Sequence, residues 1–313
     1  AIDDLDDEDA RTVAEQYSQM TDLVLYAEPN FKIQLDDPIV IPKKDLPSRQ
    51  SNPGEVLPND PMFKEQWALS NEGQSGGKTK ADISAILAWA KTQGSSDVVV
   101  AVLDSGVDYT HPDLISNIWL RPNSVPQYKD NELGTFNDLR GFNAVENQSD
   151  PMDDNGHGTH CAGIIGAEGN NDEGISGINW KVQIMPLKFM GRGGFGTTKD
   201  AIEAINYAVQ RKRDGVNVRV INASWGSTAY SKALEDAIRA AGEEGILFVA
   251  AAGNSSTDND KRPHYPSNYD LPNVLSVAAL DRNDSLASFS NFGVKTVHIA
   301  APGKEILSTW LND

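Results

Sequence analysis

The sequence predicts an α/β fold: a mostly parallel sheet with helices on both faces, preceded by a short helix–strand leader and a proline-rich linker. Three observations carry this reading. Runs of Val, Ile, Leu and Ala recur from Val98 onward, near-continuous in the way of strands buried on both faces. Amphipathic stretches of helical length separate several of them. Asp104, Asn222 and Asn254 end or follow such runs, at the strand ends where open parallel sheets gather their functional groups.

The elements follow in order. Glu8 to Met20 reads as a helix and Asp22 to Ile33 as an extended segment, so residues 1–35 form a small leader unit. Residues 36–58 carry Pro38, Pro42, Pro47, Pro53 and Pro58, a composition that stiffens a chain without folding it, and are expected to be a linker. Residues 59–313 form the main domain. Its strands are predicted at Val98–Leu103, Val182–Leu187, Val218–Ile221, Ile246–Ala251, Val274–Ala279 and Val297–Ala300. Asp200–Arg211 places Ile202, Ile205, Ala208 and Val209 on one helical face, and Ser231–Glu243 does the same with Leu234, Ala237, Ile238 and Ala241.

Acidic residues outnumber basic ones 45 to 27 across 313 residues, giving a formal net charge of -18. A nucleic acid or an anionic membrane needs a basic face, so neither is expected as a partner. The longest strongly apolar run, Ile246 to Ala252, suits a buried strand and is far too short to span a bilayer. Cys161 is the sole cysteine, which excludes an intrachain disulfide, and it reads as a small buried apolar residue.

Candidate chemistry begins with Asp104, at the end of Val-Val-Val-Ala-Val-Leu-Asp, and with Asp154-Asn-Gly-His157-Gly-Thr-His160-Cys-Ala-Gly163. Alone, Asp104 would be a turn or capping acid, Asn254 a turn residue, and His160 a packed helix residue. A histidine pinned between two glycines, downstream of a strand-end acid, is different. It supplies two members of a Ser-His-Asp triad in the order Asp, His, Ser. His-x-x-His lacks the acidic third ligand of zinc helices, so zinc is not expected. A dinucleotide-binding enzyme is excluded because no Gly-x-Gly-x-x-Gly turn follows the Val98 strand.

The chain resembles the subtilisin-like serine proteases, closest to the thermitase type. The motifs are Asp104-Ser-Gly-Val-Asp-Tyr-Thr-His-Pro-Asp113-Leu, Gly156-His157-Gly-Thr-His160-Cys161-Ala-Gly163, Asn222-Ala-Ser224-Trp225-Gly226, Ala250-Ala-Ala-Gly253-Asn254 and Ala300-Ala-Pro302-Gly303. The resemblance implies a serine endopeptidase that hydrolyses polypeptide substrates through an acyl-enzyme. Asp104 would orient His157, His157 would act as general base and then acid, and Asn254 would donate to the oxyanion. Ser224-Trp225-Gly226 and Gly194-Phe195-Gly196 would flank an extended substrate. Ala251, Ala252, Gly253, Trp225, Gly226 and His264 would line the pocket for the side chain before the scissile bond, with Trp225 narrowing it.

The same resemblance implies calcium. Asp113 and Asn171 match side-chain ligands, Asp60 an N-terminal one, and the loop Glu168–Ile175, with Glu173, would add oxygens. A second site is expected near Asp150, Asp153 and Asp154. Tyr26-Ala-Glu-Pro-Asn30 resembles the end of an inhibitory propeptide, so the leader is expected to be part of one. The family's serine motif follows its Ala-Pro-Gly segment, and Lys304–Asp313 does not contain it. Ser308 lies in a strand-like run without a glycine elbow and is not expected to substitute. The nucleophile and a central helix are therefore expected on a separate C-terminal fragment. An extracellular location follows from the family. The alternative is an inactive relative acting as a peptide- or propeptide-binding module.

Overall fold

The computed structural model describes residues 9–21, 23–35, 52–130 and 134–311. The leader contributes α1 (Ala10–Ser18) and β1 (Lys32–Gln34). Then come α2 (Ala85–Ala88), β2 (Gly94–Asp104), β3 (Tyr128–Asp130), β4 (Gly134–Phe136), β5 (Phe142–Asn143) and α3 (His157–Gly166). They are followed by β6 (Lys181–Lys188), β7 (Phe195–Thr197), α4 (Thr198–Arg213), β8 (Val218–Ala223), α5 (Lys232–Glu243), β9 (Leu247–Ala251), β10 (Val274–Leu280) and β11 (Ile299–Pro302).

Seven strands form one sheet in the order β11-β10-β9-β8-β2-β6-β5, and every pairing in it is parallel. Each predicted strand of the main domain is present. Strand alternation sorts the side chains into two faces. Val99, Ala101 and Leu103 of β2 join Ile221, Phe248 and Ala250 beneath Ala201, Ile205 and Ala208 of α4 and Leu234, Ile238 and Ala241 of α5. Val100 and Val102 face the other way, against Cys161 and Ala162 of α3 and Val182 and Ile184 of β6. Each large aliphatic side chain buried this way contributes about 1.5–3 kcal/mol before its entropy cost.

Local signals set the helix ends. Thr197 Oγ1 accepts the Asp200 N–H at the start of α4, and Ser231 Oγ accepts the Leu234 N–H at the start of α5. Arg211, Lys212 and Arg213 occupy the last turn of α4, where their charge complements the helix dipole. The leader helix is shorter than expected and buries no residue.

Most of the expected linker lies outside the described residues. Within its end, 52–54 are exposed but the following residues pack: Val56 N–H donates to Ile86 O, and Val56 and Leu57 rest on a cluster of Phe63, Trp89 and Trp180. Apolar side chains among the prolines explain the departure.

The α3 face is covered unevenly. Register places Val220, Leu247, Val249, Leu275, Val277 and Ile299 on the side that α3 shares with Val100 and Val102. They belong to the exposed or half-buried positions of their strands, with Leu247 39% and Ile299 49% exposed. No described helix lies over β9–β11 on this side, although the sequence pattern requires an apolar neighbour there. Chain order reverses between β2 and β8. The crevice outside their carboxyl ends is where an open α/β sheet places its ligand.

Candidate active site

β2 delivers Asp104 into that crevice, fully buried. Its Oδ1 accepts the Ser105 N–H at 2.8 Å and lies 2.7 Å from His157 Nδ1. His157 opens α3, and the residue before it sets the turn. Gly156 has φ +106°, and a Cβ there would lie 2.6 Å from the Trp310 ring, so only glycine fits. Burial by itself would lower the pKa of His157. The charge of Asp104, with the Cys161 sulfur beside it, outweighs burial and holds the imidazole well above its usual value.

Cys161 is buried, with Sγ 3.9 Å from His157 Nδ1. His160 packs as a helix residue: its Nε2 bonds Ile306 O at 3.1 Å, its ring meets Trp310 edge-on, and burial lowers its pKa.

Asn254 follows β9 and lines the same cleft as His157, together with Ser224, Gly226, Ala251, Gly253 and His264. The cleft has a volume of about 1150 Å³. His264 is held between the two glycines that flank it: a Cβ on Gly226 would lie 2.2 Å from its ring and one on Gly253 3.1 Å. Trp225 also lines the cleft. Its ring is buried against Phe189, centroids 4.7 Å apart, and its Nε1–H donates to Leu103 O. Beyond the end of β8, most of the indole is thus held in the core, with 3% of the residue exposed. Ala252 likewise is 1% exposed, with its N–H donated to Val277 O.

The edge formed by Gly194, Phe195 and Gly196 is occupied. β1 pairs antiparallel with β7, with Gln34 opposite Phe195 and Ile33 opposite Gly196, and Leu35 N–H donates to Gly194 O. The leader is anchored at two helix starts. The Glu28 carboxylate accepts Lys232 N–H at 2.7 Å and Ala233 N–H at 3.1 Å, and it also accepts the Ser231 hydroxyl. Asn30 Oδ1 accepts Lys199 N–H and the Thr198 hydroxyl. These anchors lie in the Tyr26–Asn30 segment, but nothing in the sequence names the helices they reach.

Asp60 and Asp113 are buried together near the loop 168–175. Asp60 accepts Asn170 N–H and Asn171 N–H, and Asp113 accepts the Asn171 side-chain amide and Ile175 N–H. Among the described residues neither pairs with a Lys or Arg. Burial, and then the neighbouring charges of Asp60 and Glu173, push Asp113 up to about 6; burial also raises Asp60. Two buried carboxylates, one of which opposes the ionisation of the other, beside the Asn171 side-chain amide, fit a hard divalent cation. The Glu168 carboxylate accepts the Ser116 hydroxyl at 2.6 Å, and Glu173 is exposed.

Asp150, Asp153 and Asp154 do not gather as a second site. Asp150 accepts the Tyr109 hydroxyl, Asp154 pairs with the Lys188 ammonium at 2.6 Å, and Asp153 is saturated by hydrogen bonds from the α3 turn. Among the described residues, the one group of three or more potential ligand side chains within 4.8 Å is Asp104, His157 and Cys161. Neither Lys188 nor Trp310 stands out in the sequence, because neither belongs to a motif that the sequence offers.

Comparison with known proteins identifies the family. A sequence model of the subtilase family matches residues 95–312. The chain is 40% identical over 222 residues to a thermophilic serine proteinase of Bacillus sp. strain AK1, covering 71% of this chain and 48% of that protein. It is 34% identical to thermitase of Thermoactinomyces vulgaris, covering 81% of this chain and 76% of that protein. The crystal structure of a cold adapted subtilisin-like serine proteinase superposes with a TM-score of 0.51 at 29% identity, covering 69% of this chain and 68% of that one. The chain thus spans about half the length of the first of these relatives.

Proposed function

Because the chain belongs to the subtilase family, we propose that it carries the acid–base, oxyanion and substrate-binding groups of a serine endopeptidase acting through an acyl-enzyme. The observation that carries this is the 2.7 Å contact between His157 Nδ1 and the fully buried Asp104, at the edge of a cleft that Asn254 also lines.

In this reading His157 Nε2 takes the proton of the attacking hydroxyl and returns it to the leaving amine. Asp104 accepts Nδ1–H, fixing the tautomer and stabilising the imidazolium. Asn254 donates its side-chain amide to the oxyanion. Ser308 does not serve as nucleophile, since its hydroxyl donates to His160 O on the back of α3. The attacking serine would instead be carried by a segment that covers the open sheet face beside α3.

The leader acts as part of an inhibitory propeptide. Its support is β1, which lies along the β7 edge where a substrate strand would pair. A calcium ion would be held by Asp60, Asp113 and Asn171 with carbonyls of 168–175, neutralising the buried acids. Extracellular calcium is abundant enough to fill even a modest site, which suits a secreted enzyme. Among the described residues no helix is long and apolar enough to cross a membrane.

The test is fluorophosphonate labelling of the full-length product of the reading frame that contains these residues. One labelled serine is expected, with labelling lost in His157→Ala. Asn254→Ala should lower turnover about 10²–10³-fold, the magnitude known for subtilisin's own oxyanion asparagine. A folded, full-length protein that never labels would favour the peptide-binding module.

A further inference from the structure

We propose that Asp153 is a positioning residue that sets the Asp104–His157 contact by tying the residue after Asp104 to the first turn of α3. The proposal rests on the catalytic reading of that pair. Asp153 is 5% exposed and accepts five hydrogen bonds from protein donors. Oδ2 takes the Thr159 N–H at 2.9 Å and the Thr159 hydroxyl at 2.7 Å, and Oδ1 takes Asn155 N–H and Gly156 N–H, each at 3.0 Å. Those four bonds would make it a helix-start acid and nothing more.

The fifth reaches across 48 residues. The Ser105 hydroxyl donates to Asp153 Oδ1 at 2.9 Å, and Ser105 Oγ itself accepts Gly158 N–H at 2.9 Å. Ser105 N–H in turn holds Asp104 Oδ1. A closed path thus runs from Asp104 through Ser105 and Asp153 to the turn that carries His157. The two backbones it joins are in contact, since a Cβ on Gly158 would lie 2.0 Å from Gly106 O. Lys188 braces the strand side, its ammonium donating to Ser105 O at 2.6 Å. An aspartate is required because every group facing its oxygens is a donor; the amide of an asparagine would meet one of them N–H to N–H.

The experiment compares Asp153→Asn and Ser105→Ala with the parent 313-residue chain by proton NMR. It follows the hydrogen-bonded Nδ1–H proton of His157, a reading that needs no nucleophile and is independent of whether the protein is a protease. The expected result is an unchanged far-UV spectrum with the His157 proton moved upfield or lost to solvent exchange. Ser105→Ala removes a single oxygen and gives the same reading if Asp153→Asn unfolds. In the full-length enzyme, kcat should fall about 10²-fold with KM unchanged, as expected for a displaced general base. A lowered melting temperature with the His157 proton unmoved would make Asp153 a helix cap only and overturn the proposal.

Discussion

Asp113 shows how a single side chain couples burial to function. Its carboxyl, pushed up to about 6, would be near 3.9 in the unfolded chain. An acid whose pKa rises on folding binds its proton more tightly when folded. Ionising it therefore costs stability above pH 6, and the cost disappears as pH falls toward 4. Two units correspond to about 3 kcal/mol, the upper end of what one such group costs. A bound divalent cation removes that cost. Chelation should therefore lower the melting temperature clearly at pH 8 and little near pH 4.5, and Asp113→Asn should abolish the difference. Equal chelator effects at both pH values would rule out calcium at this pair. Asp113 and Asp60, 53 residues apart, were both singled out only through the resemblance, and that they are buried side by side at one loop was decided by the fold. Trp225 lines the cleft as its motif suggests, but how deeply its ring sinks against Phe189 was not legible, because a motif gives an order of residues and not their burial.

The leader shows what elements add. A glutamate at one helix start, an asparagine at another and a short antiparallel pairing together dock a segment whose own helix buries nothing. Carboxylates favour helix N-termini by about 0.3–1 kcal/mol when exposed, and more when partly buried. A peptide of residues 9–35 should inhibit the active protease, and Glu28→Ala should weaken that inhibition about tenfold, read as an increase in Ki. An unchanged Ki would mean that β1 alone docks the leader. The strands and the two long helices were legible because their period and length were unambiguous. The targets of Glu28 and Asn30 were not, because long-range docking leaves no local periodicity.

The molecule as a whole is a sheet with one face closed by α4 and α5 and the other only partly closed by α3. The half-exposed row of Leu247, Val249, Leu275, Val277 and Ile299 is surface that water covers at a cost. Residues 1–313 should bind a hydrophobic dye such as ANS, and a form in which a segment covers this face should bind it much less while melting at a higher temperature. Equal dye binding by both would refute the proposed covering segment. The residue pattern alone settled the parallel sheet, the acid at the end of β2 and the histidine in its glycine turn, because these are written in short stretches of neighbouring residues. The closeness of Asp104 to His157, the brace through Asp153 and the open face beside α3 were decided only by the folded chain. Each depends on which distant segments lie side by side and on which way alternate side chains turn, and neither is encoded within a single stretch.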